Sequence, residues 1–328
     1  MDFLAGSFAN LLTAPILFFA LGGLAGLFRS DLHFPDSMAK GLSIYLMLSI
    51  GFKGGVSIRE SGLSVEILLV AIAGVLVSLL LPAPGYWFLR KLTRVSRADA
   101  ASIAAHYGSV SVVTFVTAQQ FLLSQDIDAP GYMVGVMALM ETPAILAGIW
   151  LARRKLKPAP SAPTALSRSL WREVFLNGSV VVLVGSMIIG AITGPRGMED
   201  LSPFIVGPFK GLLCLFLLEM GLATARRLSG AKGLTAPLAA FGLLMPLVSS
   251  CLGILIAIMI GLPLGAVVLF AVLSASASYI AVPAAMRLAV PEANPGLSMS
   301  LSLAITFPFN IIFGIPLYTT AARLLLGV

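Results

Sequence analysis

Apolar residues along this chain gather into ten runs, at 12–28, 38–56, 64–83, 98–121, 131–151, 174–193, 204–224, 235–260, 264–288 and 296–320. Short stretches of Gly, Pro and clustered charge separate them. A helix rises 1.5 Å per residue, so about 20 residues cross about 30 Å of hydrocarbon. Most of the runs reach that length. They are continuous where barrel strands would alternate apolar and polar positions, and a backbone in lipid can satisfy its polar groups only as a helix or a closed barrel. The pattern predicts an all-α integral membrane protein of ten transmembrane helices, with no sizeable soluble domain.

Composition strengthens that reading: of 328 residues, 58% are hydrophobic and 11% charged, where a soluble domain carries roughly a quarter charged residues. The net charge of +7 does not mark a nucleic-acid surface, because the charges cluster between apolar runs. Basic residues concentrate in cytoplasmic connections. Placing the N-terminus outside puts Arg90, Lys91, Arg94 and Arg97, then Arg153, Arg154, Lys155 and Lys157, then Arg226, Arg227 and Lys232 inside. With Arg29, Lys40, Arg168, Arg172 and Arg287 these make 16 of the 21 Lys and Arg. Ten crossings return the C-terminus to the outside, and Asp126 and Asp128 fall in an external loop. The expected location is a bacterial-type plasma (inner) membrane. Cys214 and Cys251 lie inside apolar runs and read as small buried side chains without a disulfide framework. The start, Met1-Asp2-Phe3-Leu4, lacks the basic flank of a secretory signal, so the first run reads as a retained helix.

A linker rich in Pro and Ser, with Pro158, Pro160, Pro163, Ser161 and Ser167, divides the chain almost in half. The expected organisation is a first five-helix repeat (1–157), a cytoplasmic linker (158–173) and a second five-helix repeat (174–328). The halves echo each other. Asp31-Leu32 with Lys40-Gly41-Leu42 recurs as Asp200-Leu201 with Lys210-Gly211-Leu212; Gly51 falls on Gly221, Gly108-Ser109 on Ala277-Ser278, and Pro143 corresponds to Pro308. An odd number of crossings per unit gives the second unit opposite polarity, the inverted repeat of secondary transporters.

Helix-weakening residues interrupt runs four and nine at equivalent repeat positions: Gly108-Ser109-Val110-Ser111 in one, Ser276-Ala277-Ser278-Tyr279 with Pro283 in the other. Irregular backbone at membrane depth is tolerated where it lines a cavity, although small residues also serve close helix packing. Each new helix N-terminus carries about half a positive charge and free N–H groups. No Lys or Arg occupies the middle of a run, so an anion would be held by backbone amides and the hydroxyls of Ser109, Ser111 and Ser278. That set suits a small monoanion.

Ionisable residues inside the membrane default to functional candidates. Glu141, beside Pro143, is the first, as a cation or site residue; Glu219 and His106 are gate or structural candidates, the alternative for each being a polar group that fastens neighbouring helices. Thr306 and Asn310, with Thr114 on the fourth run, supply neutral oxygens that suit Na⁺, a hard cation. Lys53 reads as an interfacial anchor near the external end of run two.

These residues are familiar as a set. Gly51-Phe52-Lys53-Gly54-Gly55, Ala105-His106-Tyr107-Gly108-Ser109-Val110-Ser111, Leu218-Glu219-Met220-Gly221, Ser278-Tyr279-Ile280-Ala281-Val282-Pro283, Pro291-Glu292-Ala293-Asn294-Pro295 and Thr306-Phe307-Pro308-Phe309-Asn310 closely resemble the sodium-dependent bicarbonate transporter family. The resemblance implies ten helices in an inverted five-plus-five repeat, with helices four and nine discontinuous. A gate domain (helices 1, 2, 6 and 7) and a core domain (3–5 and 8–10) follow, in a homotrimer that carries Na⁺ with bicarbonate inward by elevator-like core motion. It places the anion at Gly108, Ser109, Val110, Ser111, Ala277 and Ser278, with Tyr279 adjoining. It also brings a PII-like cytoplasmic regulator, on which this chain's short linker is silent. Another small anion, such as a short carboxylate, would fit the same scaffold, as would a membrane receptor that binds an anion without transport. No His-Glu-x-x-His or Gly-x-Ser-x-Gly motif points to an enzyme.

Overall fold

The computed structural model describes residues 13–62, 64–154, 172–173, 176, 178–230 and 233–328. The expected linker at 158–173 lies outside the described residues apart from Arg172 and Glu173. All described secondary structure is helical. In chain order the elements are α1 (Ala14–Leu27), α2 (Asp36–Ser61), α3 (Val65–Leu80), α4 (Pro82–Leu92), α5 (Arg97–Gly108), α6 (Val112–Ser124), α7 (Met133–Met140) and α8 (Pro143–Arg153). Then come α9 (Gly178–Ile205), α10 (Phe209–Ser229), α11 (Ala236–Ile260), α12 (Leu264–Ala275), α13 (Ala281–Ala289) and α14 (Pro295–Met299). The chain ends in π1 (Ser300–Thr306), α15 (Phe307–Phe309), π2 (Asn310–Gly314) and α16 (Ile315–Leu326).

Among the described residues, seven helical stretches are long and apolar enough to cross a membrane: Asp36–Ser61, Val65–Leu92, Arg97–Ser124, Met133–Arg153, Gly178–Ile205, Ala236–Ile260 and Pro295–Leu326. Ala14–Leu27 and Leu264–Ala275 are apolar but shorter. α10 has 21 residues but carries Lys210, Glu219, Arg226 and Arg227. At 12 residues, α12 rises about 18 Å before it stops, roughly half the hydrocarbon thickness.

Two packing groups emerge. α1 lies along α10, and α2 along α9, with α2 also touching α10. Glycines set these approaches: a Cβ on Gly51 of α2 would collide with the Leu183 carbonyl and Ser186 of α9, and one on Gly221 of α10 would collide with the Phe19 carbonyl of α1. The two glycines that align between the halves therefore do the same work on two different helix pairs. The second group holds the buried interior. α5 packs on α4 and α8, α12 on α11, α6 and α16, and α3 on α7 and α8. Within it α5, α6 and α12 are buried nearly throughout, whereas Leu68, Trp87, Ile192, Leu244 and Met259 on outward faces are exposed. Apolar residues on the outside and polar ones within is the distribution a lipid solvent demands.

Candidate functional site

The break between α5 and α6 follows from local capping. Ser96 starts α5 by accepting from the Asp99 N–H at 3.0 Å. The helix stops at Gly108, and Ser109 turns extended (φ −89°, ψ 177°). Ser111 then starts α6: its Oγ accepts from the Thr114 N–H at 3.3 Å and from the Thr114 hydroxyl at 2.9 Å. The first intrahelical bond is Phe115 N–H to the Ser111 carbonyl. The first-turn N–H groups of Val112 and Val113 thus stay open, as at any helix start.

The second break mirrors it. α12 ends at Ala275, and Ser276 is extended (φ −81°, ψ 162°). The Ser276 hydroxyl donates to the Leu273 carbonyl at 3.0 Å and accepts from the Ser111 N–H at 3.0 Å, so it ties the two breaks together. α13 opens at Ala281, with Pro283 third in the helix, where a proline removes a donor that would have lacked a partner. A second tie is the bond from the Ser278 N–H to the His106 carbonyl at 2.9 Å, and a third joins His106 Nδ1 to the Ser278 carbonyl at 2.6 Å.

Glu141 reaches this crossing through a kink. Pro143 cannot donate a hydrogen bond, and the Ser78 hydroxyl of α3 inserts into the ladder beside it. It donates to the Met140 carbonyl at 2.6 Å and accepts from the Ala144 N–H at 3.2 Å. The Ser109 hydroxyl donates to the Glu141 carbonyl at 3.1 Å. The Glu141 side chain is buried, with no basic group against it among the described residues.

Val110, Ser111, Val112, Glu141, Ser278, Tyr279 and Ile280 line one small cavity of about 10 Å³, closed on the other side by Met47 of α2 and Ser179 of α9. That is room for about one water, so a polyatomic anion requires the walls to part. The Ser278 hydroxyl has no partner among the described residues, and the Tyr279 hydroxyl lies beside Ser111. Met47, Ser179, Tyr279 and Ile280 also line a neighbouring cavity of about 710 Å³ that holds Lys40, Glu173, Glu219 and Arg227.

The expected site residues therefore divide. Val110, Ser111, Glu141, Ser278 and Tyr279 face the cavity, and Thr114 stands behind Ser111. Gly108 instead packs against Pro82 and Ala144, and neither Ser109 nor Ala277 is in the lining. Thr306 donates to the Gly242 carbonyl at 2.7 Å and pairs with the Tyr107 hydroxyl at 2.6 Å. Asn310 donates to the Ala275 carbonyl at 2.9 Å and accepts from the Tyr318 hydroxyl at 2.7 Å, so it fastens the end of α12. Glu219 belongs to the larger cavity. Lys53 sits 4.5 Å from the centre of the Phe209 ring, away from the crossing. Sequence reasoning missed Ser78, Ser276, Met47 and Ser179. Of these only Ser276 had a local signal, the alternation Ser274-Ala275-Ser276-Ala277-Ser278.

The sequence model of the Na⁺-dependent bicarbonate transporter superfamily matches residues 14–323. The chain belongs to that superfamily. No curated relative matches it. Membership accounts for the apolar helices and makes this a transporter family member whose relatives depend on Na⁺. Helix starts with open N–H groups are places where general physical chemistry favours an anion.

Proposed function

We propose that the protein is a sodium-coupled bicarbonate importer that works by alternating access. The observation that carries this reading is the shared cavity: the start of α6, the approach to α13 and Glu141 meet there. Bicarbonate is held by the Val112 and Val113 N–H groups and the Ser278 hydroxyl. Na⁺ is held by Glu141, the Thr114 hydroxyl stands behind Ser111, and Thr306 and Asn310 each keep an oxygen lone pair for a cation.

The group of α1, α2, α9 and α10 acts as the gate, and the buried group as the moving core. They form an inverted five-plus-five repeat of ten crossings. The exchanged pairs α1–α10 and α2–α9, closed by repeat-related Gly221 and Gly51, support that symmetry. The larger cavity, with Lys40 and Arg227, lies on the side the basic residues mark as cytoplasmic, so the site opens inward and both termini lie outside the plasma membrane. A homotrimer and a PII-like cytoplasmic partner belong to the family likeness and enter no step here.

Coupling has an energetic reason. Carrying an anion into a negative interior costs about 2.3 kcal/mol per 100 mV. One Na⁺ cancels that charge, and each tenfold Na⁺ gradient adds about 1.4 kcal/mol. The test is uptake of labelled bicarbonate into proteoliposomes under an inward Na⁺ gradient. Accumulation that disappears when K⁺ replaces Na⁺, and that excess acetate does not compete away, is expected. Equal accumulation in K⁺, or none in either salt, would contradict the reading.

A further inference from the structure

His106 is 1% exposed, lies on the last turn of α5 and is absent from the lining of the small cavity, yet it makes the closest contacts across the crossing. Its Nδ1 is 2.6 Å from the Ser278 carbonyl. A carbonyl only accepts, so Nδ1 carries the proton; the Ser302 hydroxyl, 3.4 Å from the same nitrogen, is a weaker neighbour. Nε2 is buried without a partner among the described residues, so a second proton there would have nothing to receive it. The Ser278 N–H donates back to the His106 carbonyl at 2.9 Å. One residue of α5 thus grips both backbone polar groups of Ser278.

The consequence lies in the next peptide plane. No cis peptide bond is present among the described residues, and in a trans peptide the C=O and the following N–H point in opposite directions. With the Ser278 carbonyl held on His106, the Tyr279 N–H is turned the other way. Tyr279 lines the cavity, and its N–H has no acceptor among the described residues. We propose that His106 is a positioning residue for the anion site: by holding the Ser278 carbonyl through Nδ1–H, it aims the Tyr279 N–H at the bound anion. This rests on the anion site described under the proposed function.

Two amides of nearly equal polarity separate this role from simple packing. In His106→Asn the side-chain NH₂ stands one bond from Cγ, where Nδ1 was, and in His106→Gln it moves one methylene outward. The expected result is a bicarbonate KM for His106→Asn within about twofold of the unsubstituted protein. His106→Gln should raise KM roughly tenfold with maximal rate per folded protein retained, the size expected for one misdirected hydrogen bond to a charge. Equal KM values for both variants, or a loss of maximal rate alone, would overturn the proposal. The chain has two histidines, and His33 is exposed. The ¹⁵N imidazole spectrum of His33→Gln protein therefore reports His106 alone and needs no change at the crossing. A proton on Nδ1 is expected, and a proton on Nε2 overturns the proposal even if transport proves to carry another anion. Absence of Na⁺-dependent bicarbonate uptake by the unsubstituted protein, with Nδ1 protonated, would instead sink the substrate reading.

Discussion

Replacing Ser278 by Ala removes one hydroxyl and nothing else that the crossing uses. Both bonds between Ser278 and His106 run through the Ser278 backbone, and its Oγ has no partner among the described residues. The substitution therefore leaves no buried group of the protein unsatisfied, and the fold should tolerate it. What it removes is a hydrogen bond to a charged ligand, worth about 1.5–3 kcal/mol. At 1.4 kcal/mol per decade, Ser278→Ala should raise the bicarbonate KM roughly 10- to 150-fold, with maximal rate retained because the interface between the two helix groups is unchanged. The assay is initial uptake in proteoliposomes at saturating Na⁺ over a bicarbonate series, normalised to folded protein. An unchanged KM would show that the anion does not meet this hydroxyl, and the assignment of the cradle would fail.

Other substitutions probe the surrounding parts. Glu141→Gln removes the one carboxylate of the small cavity, and should raise the Na⁺ concentration for half-maximal uptake by roughly tenfold or more, the worth of a charge-assisted contact; an unchanged Na⁺ dependence would move the cation elsewhere. Ser78→Ala strips the Met140 carbonyl and the Ala144 N–H of their shared partner, so thermal unfolding in lipid nanodiscs should show a loss of about 1–3 kcal/mol, together with weaker Na⁺ dependence as the kink at Glu141 relaxes. Normal stability would mean that the kink holds without Ser78. Gly221→Ala forces a methyl onto the Phe19 carbonyl and should cost about 1–3 kcal/mol by overpacking, whereas Gly41→Ala, with nothing within 4 Å, should not; equal melting temperatures would put the α1–α10 contact in doubt.

Much of the architecture is legible in the chain because its determinants are local. Apolar runs between charge clusters locate the helices, and each expected run falls mainly on described helix, with runs four and nine interrupted at 109–111 and 276–280. The break after Gly108 shows as a helix-weakening residue followed by Ser111, a cap three residues before Thr114. What stays hidden depends on partners distant in sequence. Ser78 looks like any small residue of an apolar helix until α3 meets the kink beside Pro143. Ser109 and Ser278 are equivalent hydroxyls on paper, yet one donates to the Glu141 carbonyl and the other has no partner among the described residues, because a break in a helix does not dictate where its side chains turn. Thr306 and Asn310 offer oxygens in the sequence that the fold engages with Tyr107 and Tyr318. The two π-helical segments around Pro308 carry no compositional mark; such widened turns often accompany functional sites.

The proposed transport depends on one place where an anion meets two helix starts. A map of the protein in lipid with saturating Na⁺ and bicarbonate, at a resolution that separates the anion from water, tests it most directly. Density bridging the Val112 and Val113 N–H groups and the Ser278 hydroxyl is expected, with α6 and α13 still separate from α5 and α12. Anion density at another site, or continuous helices through 108–112 and 275–281, would contradict it.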